Sequence, residues 1–182
     1  GAAVARVGTG TIFAGEGAVI DLGADSDAVT AARAFQYVEL GEQGSRKAGG
    51  GRVAVQAALR NALAEARELA RRGGGQGADP RLQDGGPERP GDALLNRFDA
   101  AALVPVVQGR QPLYAHVERA ADIRMALNLK REFPALKLVL VGVTEGWMVA
   151  KELAAAGVPV FATPLNDLPD RFEQIGATQS NV

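Results

Sequence analysis

Apolar positions along the chain fall into two periods. Between residues 53 and 72, Val55, Leu59, Leu63, Ala66 and Leu69 recur at helical spacing, with arginines and glutamates at many of the other positions. This predicts a helix over Val53–Arg72. Glu68 and Arg72 stand four apart in the favourable order, the basic last turn suits the helix dipole, and Gly73-Gly-Gly75 ends the element. Further on, short apolar runs alternate with helical patterns. Pro112–Val117 predicts a strand, and Glu118–Arg131 a helix closed by Phe133-Pro134. Its inward stripe is Ala120, Ile123 and Leu127 with Met125 or Ala126. Leu136–Val141 is the next strand, apolar almost throughout, as expected of a parallel strand buried on both faces. Thr144–Ala156 is the next helix, with Thr144 as N-cap and Gly157 then Pro159 as its stop. Val158–Phe161 is a third strand.

The first third is patterned less clearly. Val4–Val7 and Ala18–Leu22 predict short strands, Ala28–Arg33 a helical turn, and Phe35–Leu40 a strand. Asp99 is placed to cap a short helix over Ala100–Gln108 that contains Pro105. Residues 73–92 are rich in Gly, Pro, Asp, Gln and Arg and nearly free of large apolar side chains. They predict a mobile surface loop, read as an insertion in preference to a functional lid.

Composition narrows the classes of function. The 182 residues suffice for one domain with a sizeable core. A net charge of −1, with basic and acidic residues interspersed, gives no reason to expect nucleic acid or an anionic membrane surface as partner. No cysteine is present, which excludes a disulfide framework, a thiolate metal site and a cysteine nucleophile. No apolar run is long enough to span a bilayer, and the first residues lack a leader pattern. The expectation is a soluble chain, cytoplasmic or periplasmic.

The strand–helix alternation carries a resemblance. Pro112-Leu-Tyr-Ala-His-Val-Glu-Arg-Ala-Ala-Asp-Ile123 and Leu140-Val-Gly-Val-Thr-Glu-Gly-Trp147 resemble the middle of an amidohydrolase-superfamily barrel, nearest its imidazolonepropionase-like and prolidase-like branch. Val4-Ala-Arg-Val-Gly-Thr-Gly10, Gly15-Glu-Gly-Ala-Val-Ile-Asp-Leu22 and Leu40-Gly-Glu-Gln-Gly-Ser-Arg46 are similar to that branch in the same order. The resemblance implies an α/β fold, a partial (β/α)8 TIM-type barrel with residues 1–182 as its central portion. A complete barrel of this kind runs to about 250 residues, so further barrel segments or a homo-oligomeric partner are expected.

It also implies a hydrolase of carbon–nitrogen bonds acting on a small amide, cyclic amide or dipeptide through water activated by a divalent metal, zinc by preference. In that family a His-x-His pair follows the first strand, histidines end two later strands, and an aspartate ends the last. His116 matches the first of the later histidines. The second falls at Gly142, which has no side chain to offer a metal, and no His-x-His occurs in the chain. No bridging lysine or glutamate matches the pattern around Leu40–Lys47, where Glu42 and Lys47 stand off it. The hydrolase is the leading reading; these departures support an alternative, a degenerate barrel that binds a ligand or a partner subunit without catalysis.

Four residues carry the candidate chemistry. His116, the only histidine, is a metal ligand by family position and a hydrogen-bonded packing residue by ordinary expectation. Glu145 is a candidate general base, weighed against a first-turn glutamate that complements a helix dipole. Arg119 and Trp147 are candidate substrate contacts. Against these roles stand an Arg119–Asp122 ion pair and the packing of Trp147 on the barrel. Gly8-Thr-Gly10 and Gly15-Glu-Gly17 fit turns better than phosphate loops. Gly49-Gly-Gly51 could offer an anion the N-terminus of the long helix, on composition alone. Ser45 has no matched histidine and acid to make it a nucleophile.

Overall fold

In the computed structural model, residues 2–4, 11–23, 28–72, 95–162 and 168–178 are described. The element order is β1 (Ala2–Val4), β2 (Phe13–Ile20), β3 (Val29–Glu39), α1 (Glu42–Lys47), α2 (Arg52–Arg71), α3 (Arg97–Val107), β4 (Leu113–Val117), α4 (Ala120–Glu132), β5 (Leu138–Gly142), α5 (Ala150–Ala156) and β6 (Val160–Ala162), with short 3₁₀ turns at Gly146–Val149 and Phe172–Gln174. All six strands form one sheet in chain order. β1, β2 and β3 pair antiparallel, and β3 through β6 pair parallel. The result is a mixed α/β fold, compatible with part of a (β/α) barrel.

Helices cover one face of the parallel strands. Val38, Leu113, Ala115, Val117, Leu138 and Leu140 are buried in one cluster with Val55, Leu59 and Leu63 of α2, Ile123, Ala126 and Leu127 of α4, and Leu153 of α5. Side chains alternate along a strand, so Tyr37, Tyr114, His116, Val139 and Val141 take the other face, where they are half-buried. Phe161 stands 58% exposed there, and Tyr114 lies edge-on to Phe35 at 4.3 Å and 5.8 Å from Phe161. The near-continuous apolar run of β5 predicts burial on both faces. Instead its burial alternates, because the described helices pack on one side only.

Several local expectations are corrected. Ala28–Arg33 is not a helical turn: β3 runs through it, held by pairing to β2 and by Thr30 Oγ1 donating to the Val19 carbonyl. Partner strands override a weak local signal, and the β-branched Val29 and Thr30 suit the pleat. α3 starts earlier than expected, with Asn96 as N-cap accepting from the Asp99 amide, while Asp99 sits in the first turn. α4 begins at Ala120, so Glu118 and Arg119 stay outside it, a shift that matters for the site. Thr144 caps no helix, since a 3₁₀ turn precedes α5 and the threonine hydroxyl is spent elsewhere. Gly157 does end α5, in the left-handed conformation at φ 57°. The expected strand at Val4–Val7 falls partly, and the loop at 73–92 wholly, outside the described residues.

No described helix is long and apolar enough to cross a membrane. Leu140 and Leu59 are fully buried on facing layers. Either Leu140→Ala or Leu59→Ala is expected to cost about 2–5 kcal/mol of unfolding free energy, read from urea denaturation. A loss under about 1 kcal/mol would show that the two layers do not share a core.

Candidate functional site at the carboxyl ends of the parallel strands

The register of β3 against β4 sets the site. Glu39 lies beside His116 across the ladder, and the Leu40 amide donates to the His116 carbonyl at 3.0 Å. Paired residues in adjacent strands project to the same face, so Glu39 meets the imidazole, its carboxylate 2.8 Å from Nδ1. Glu118, two residues beyond His116, places Oε1 3.0 Å from Nε2. Ionised carboxylates have no proton to give, so the ring donates through both nitrogens. Burial alone would lower the imidazole's pKa. The hydrogen bonds to Glu118 and Glu39 and the charges of both carboxylates outweigh it and raise the value to about 10.

Glu118 is the hub. Burial alone would raise its pKa. The His116 hydrogen bond, the Thr144 hydroxyl, the imidazolium charge and the Gln174 amide bring it down to about 2. Oε2 accepts from Thr144 Oγ1 at 2.6 Å and from the Thr144 amide at 3.1 Å, and Oε1 accepts from Gln174 Nε2 at 3.1 Å. A strained turn brings Thr144 into place. Gly142 takes φ 91° and Val143 φ 48°, a left-handed conformation that a β-branched residue rarely adopts. A Cβ on Gly142 would come within 2.8 Å of Glu118 Oε2. Tyr37 lies on the face of Glu39. Burial, then the charges of Glu39 and Glu118, push its phenol up, so it stays protonated.

A second ion cluster adjoins the first. Arg52, the first residue of α2, bridges Asp122 and Glu173, the latter at 3.1 Å. Glu173 is 1% exposed; its Oε2 accepts from the Glu42 amide at 2.6 Å, while Oε1 has no partner among the described residues. Burial holds the Asp122 pKa up, with Arg52 and Arg119 opposing it and Glu173 and Glu145 adding to it. The expected Arg119–Asp122 pair is thus corrected. Asp122's ion pair is with Arg52, whose guanidinium can serve two carboxylates at once, while Arg119 is the N-cap residue of α4.

All four candidate residues lie at this end of the sheet. The carboxylate of Glu145 accepts from the Ala120 amide at 2.8 Å, capping α4 from the loop after β5. Trp147 is 42% exposed, and its indole N–H donates to the Gly176 carbonyl at 3.3 Å. His116 is brought together with Glu39 and Glu118, neither of which sequence reasoning singled out. Glu118 had a signal, standing two residues after the histidine. Glu39 and Gln174 had none, since only strand register and the course of residues 168–178 bring them in.

The metal implied by the resemblance does not fit these residues as they stand. Both nitrogens of His116 are committed to carboxylates, both oxygens of Glu118 are occupied, and no group of three or more His, Cys, Asp or Glu side chains among the described residues is placed to hold a metal ion.

Fold and site together define an α/β protein whose titratable groups gather where parallel strands end. Neither a protein-family model nor a curated protein matches the chain. Among solved structures it is similar to the crystal structure of an amidohydrolase from Thermotoga maritima MSB8, with a TM-score of 0.74 and 20% identity. The match covers 94% of this chain and 44% of that one, so the chain spans less than half the length of that protein. A likeness at this identity establishes shared fold.

Stability should depend on pH in a defined sense. His116 has a folded value of about 10 against an ordinary 6.5, so its contribution is complete below pH 6.5 and is lost as pH rises toward 10. For Glu118 the folded value is about 2 against 4.5, so its contribution is complete above pH 4.5 and is lost as pH falls toward 2. The urea midpoint is expected to peak between these limits, with the alkaline decline shallower in His116→Gln. An unchanged alkaline limb in that variant would sink the assignment. Gly142→Ala combines a positive φ with a clash against Glu118 and is expected to cost about 1–3 kcal/mol, measured in the same assay.

Proposed function

We propose that the chain is a section of an amidohydrolase-type hydrolase that cleaves a carbon–nitrogen bond in a small amide, cyclic amide or dipeptide with water. The observation that carries this reading is the gathering of Glu145, Arg119 and Trp147 beside the carboxyl ends of the parallel strands, in a fold similar to part of an amidohydrolase. Barrels of repeated β/α units carry their chemistry at this end. Glu145 is the base, Arg119 and Trp147 contact substrate, and the protonated Tyr37 phenol, on the sheet face that no described helix covers, donates to a substrate carbonyl. A divalent metal, zinc by preference, is the cofactor such hydrolases would use. The described residues, as they stand, do not fit it.

A second reading, a degenerate barrel that binds a ligand or partner subunit without catalysis, is favoured by one observation. Glu118 fills the space beside Gly142 that a second ligand side chain from the β5 end would enter.

Turnover of a panel of cyclic amides and X-Pro dipeptides, with and without added zinc, separates the two. The hydrolase reading expects hydrolysis of at least one member, falling by about a hundredfold or more in Glu145→Gln if that residue is the base. No turnover by the folded protein under either condition would reject it in favour of the binding reading.

A further inference from the structure

His116 sits where a strand-end metal ligand is expected, yet its surroundings are built for another purpose. A ligating imidazole must present a bare nitrogen lone pair to the ion, with its other nitrogen donating to a carboxylate or carbonyl. Here both nitrogens face carboxylates, Glu39 at 2.8 Å and Glu118 at 3.0 Å. Turning Glu118 aside would leave Thr144 Oγ1, the Thr144 amide and Gln174 Nε2 without their acceptor at a largely buried site. The glycine beside it leaves no room for a further ligand, since even a Cβ there meets the Glu118 carboxylate.

We infer that His116 is a double donor locked between Glu39 and Glu118 rather than a metal ligand, and that the centre at the ends of β3, β4 and β5 is a metal-free ion clasp. The imidazole supplies the positive charge that a metal would otherwise bring to two neighbouring carboxylates. The clasp joins four pieces of chain: β3 through Glu39, β4 through His116 and Glu118, the loop after β5 through Thr144, and the turn at Phe172–Gln174 through Gln174. That turn is fastened at two further points, by Glu173 on Arg52 and on the Glu42 amide, and by the Gly176 carbonyl on Trp147. His116 is therefore a positioning residue, and its role is to hold residues 172–177 across the strand ends.

The test uses the full chain, stripped with EDTA and titrated with zinc chloride. Expected are no stoichiometric zinc by elemental analysis after desalting and a Tm unmoved by zinc or EDTA. His116→Gln is expected to lower Tm by more than about 5 °C. Hydrogen exchange of the amides at 172–177 is expected to rise about tenfold or more in both His116→Gln and Gln174→Ala. Zinc bound one-to-one by the wild type would overturn the inference, and that titration needs no variant to fold. The inference stands apart from the hydrolase reading: a metal-free protein that turns over the panel satisfies both, and a metal-free inactive one satisfies only this.

Discussion

Everything at the candidate site depends on the parallel register between β3 and β4. It sets Glu39 beside His116 and leaves Glu118, just past the strand, to close on the other ring nitrogen. Shifting that register by one residue would turn Glu39 to the helix-covered face, among Val38, Leu113 and Ala115, where an ionised carboxylate has no partner. The hydrophobic layer and the ion network therefore enforce the same alignment. Apolar burial on one face selects the register, and paired charge on the other penalises any alternative.

Burying ions is costly, and this chain buries several near one another. Glu118, Asp122 and Glu173 are nearly inaccessible, and each is compensated by hydrogen bonds from donors that are themselves held in place. Two cations, His116 and Arg52, each serve two carboxylates. Such networks add less to net stability than their contacts suggest, because desolvation offsets much of the attraction, but removing one member leaves the others charged and unpaired. That asymmetry makes them good locks. The left-handed backbone at Gly142 and Val143 belongs to the same arrangement, since it delivers Thr144 to Glu118.

The sheet has two unlike faces. Helices α2, α4 and α5 contribute to the core with one, while the other carries Tyr37, Tyr114, Val139, Val141 and Phe161 in partly exposed positions. That aromatic and aliphatic surface runs up to the ion clasp.

Local periodicity was enough to read α2, β4, α4, β5 and the stop at Gly157, because those signals repeat within two to four residues of the chain itself. The lone histidine at a strand end was legible for the same reason. What surrounds it was not. Glu39 is 77 residues from His116, Gln174 is 56 from Glu118, and Arg52 is 70 from Asp122 and 121 from Glu173. No periodicity links such positions, and each pair exists only because register and helix placement bring the groups within hydrogen-bond reach. The stretch from Val29 to Arg33 was misread on the same principle, its strand being imposed by β2 rather than announced locally. The sequence by itself determined the strongly periodic elements, α2, β4, α4 and β5, and that a single imidazole would stand at the carboxyl end of a strand. Tertiary structure alone decided that both its nitrogens would be occupied by carboxylates, because charge pairing acts through space and the chain's spacing does not record it.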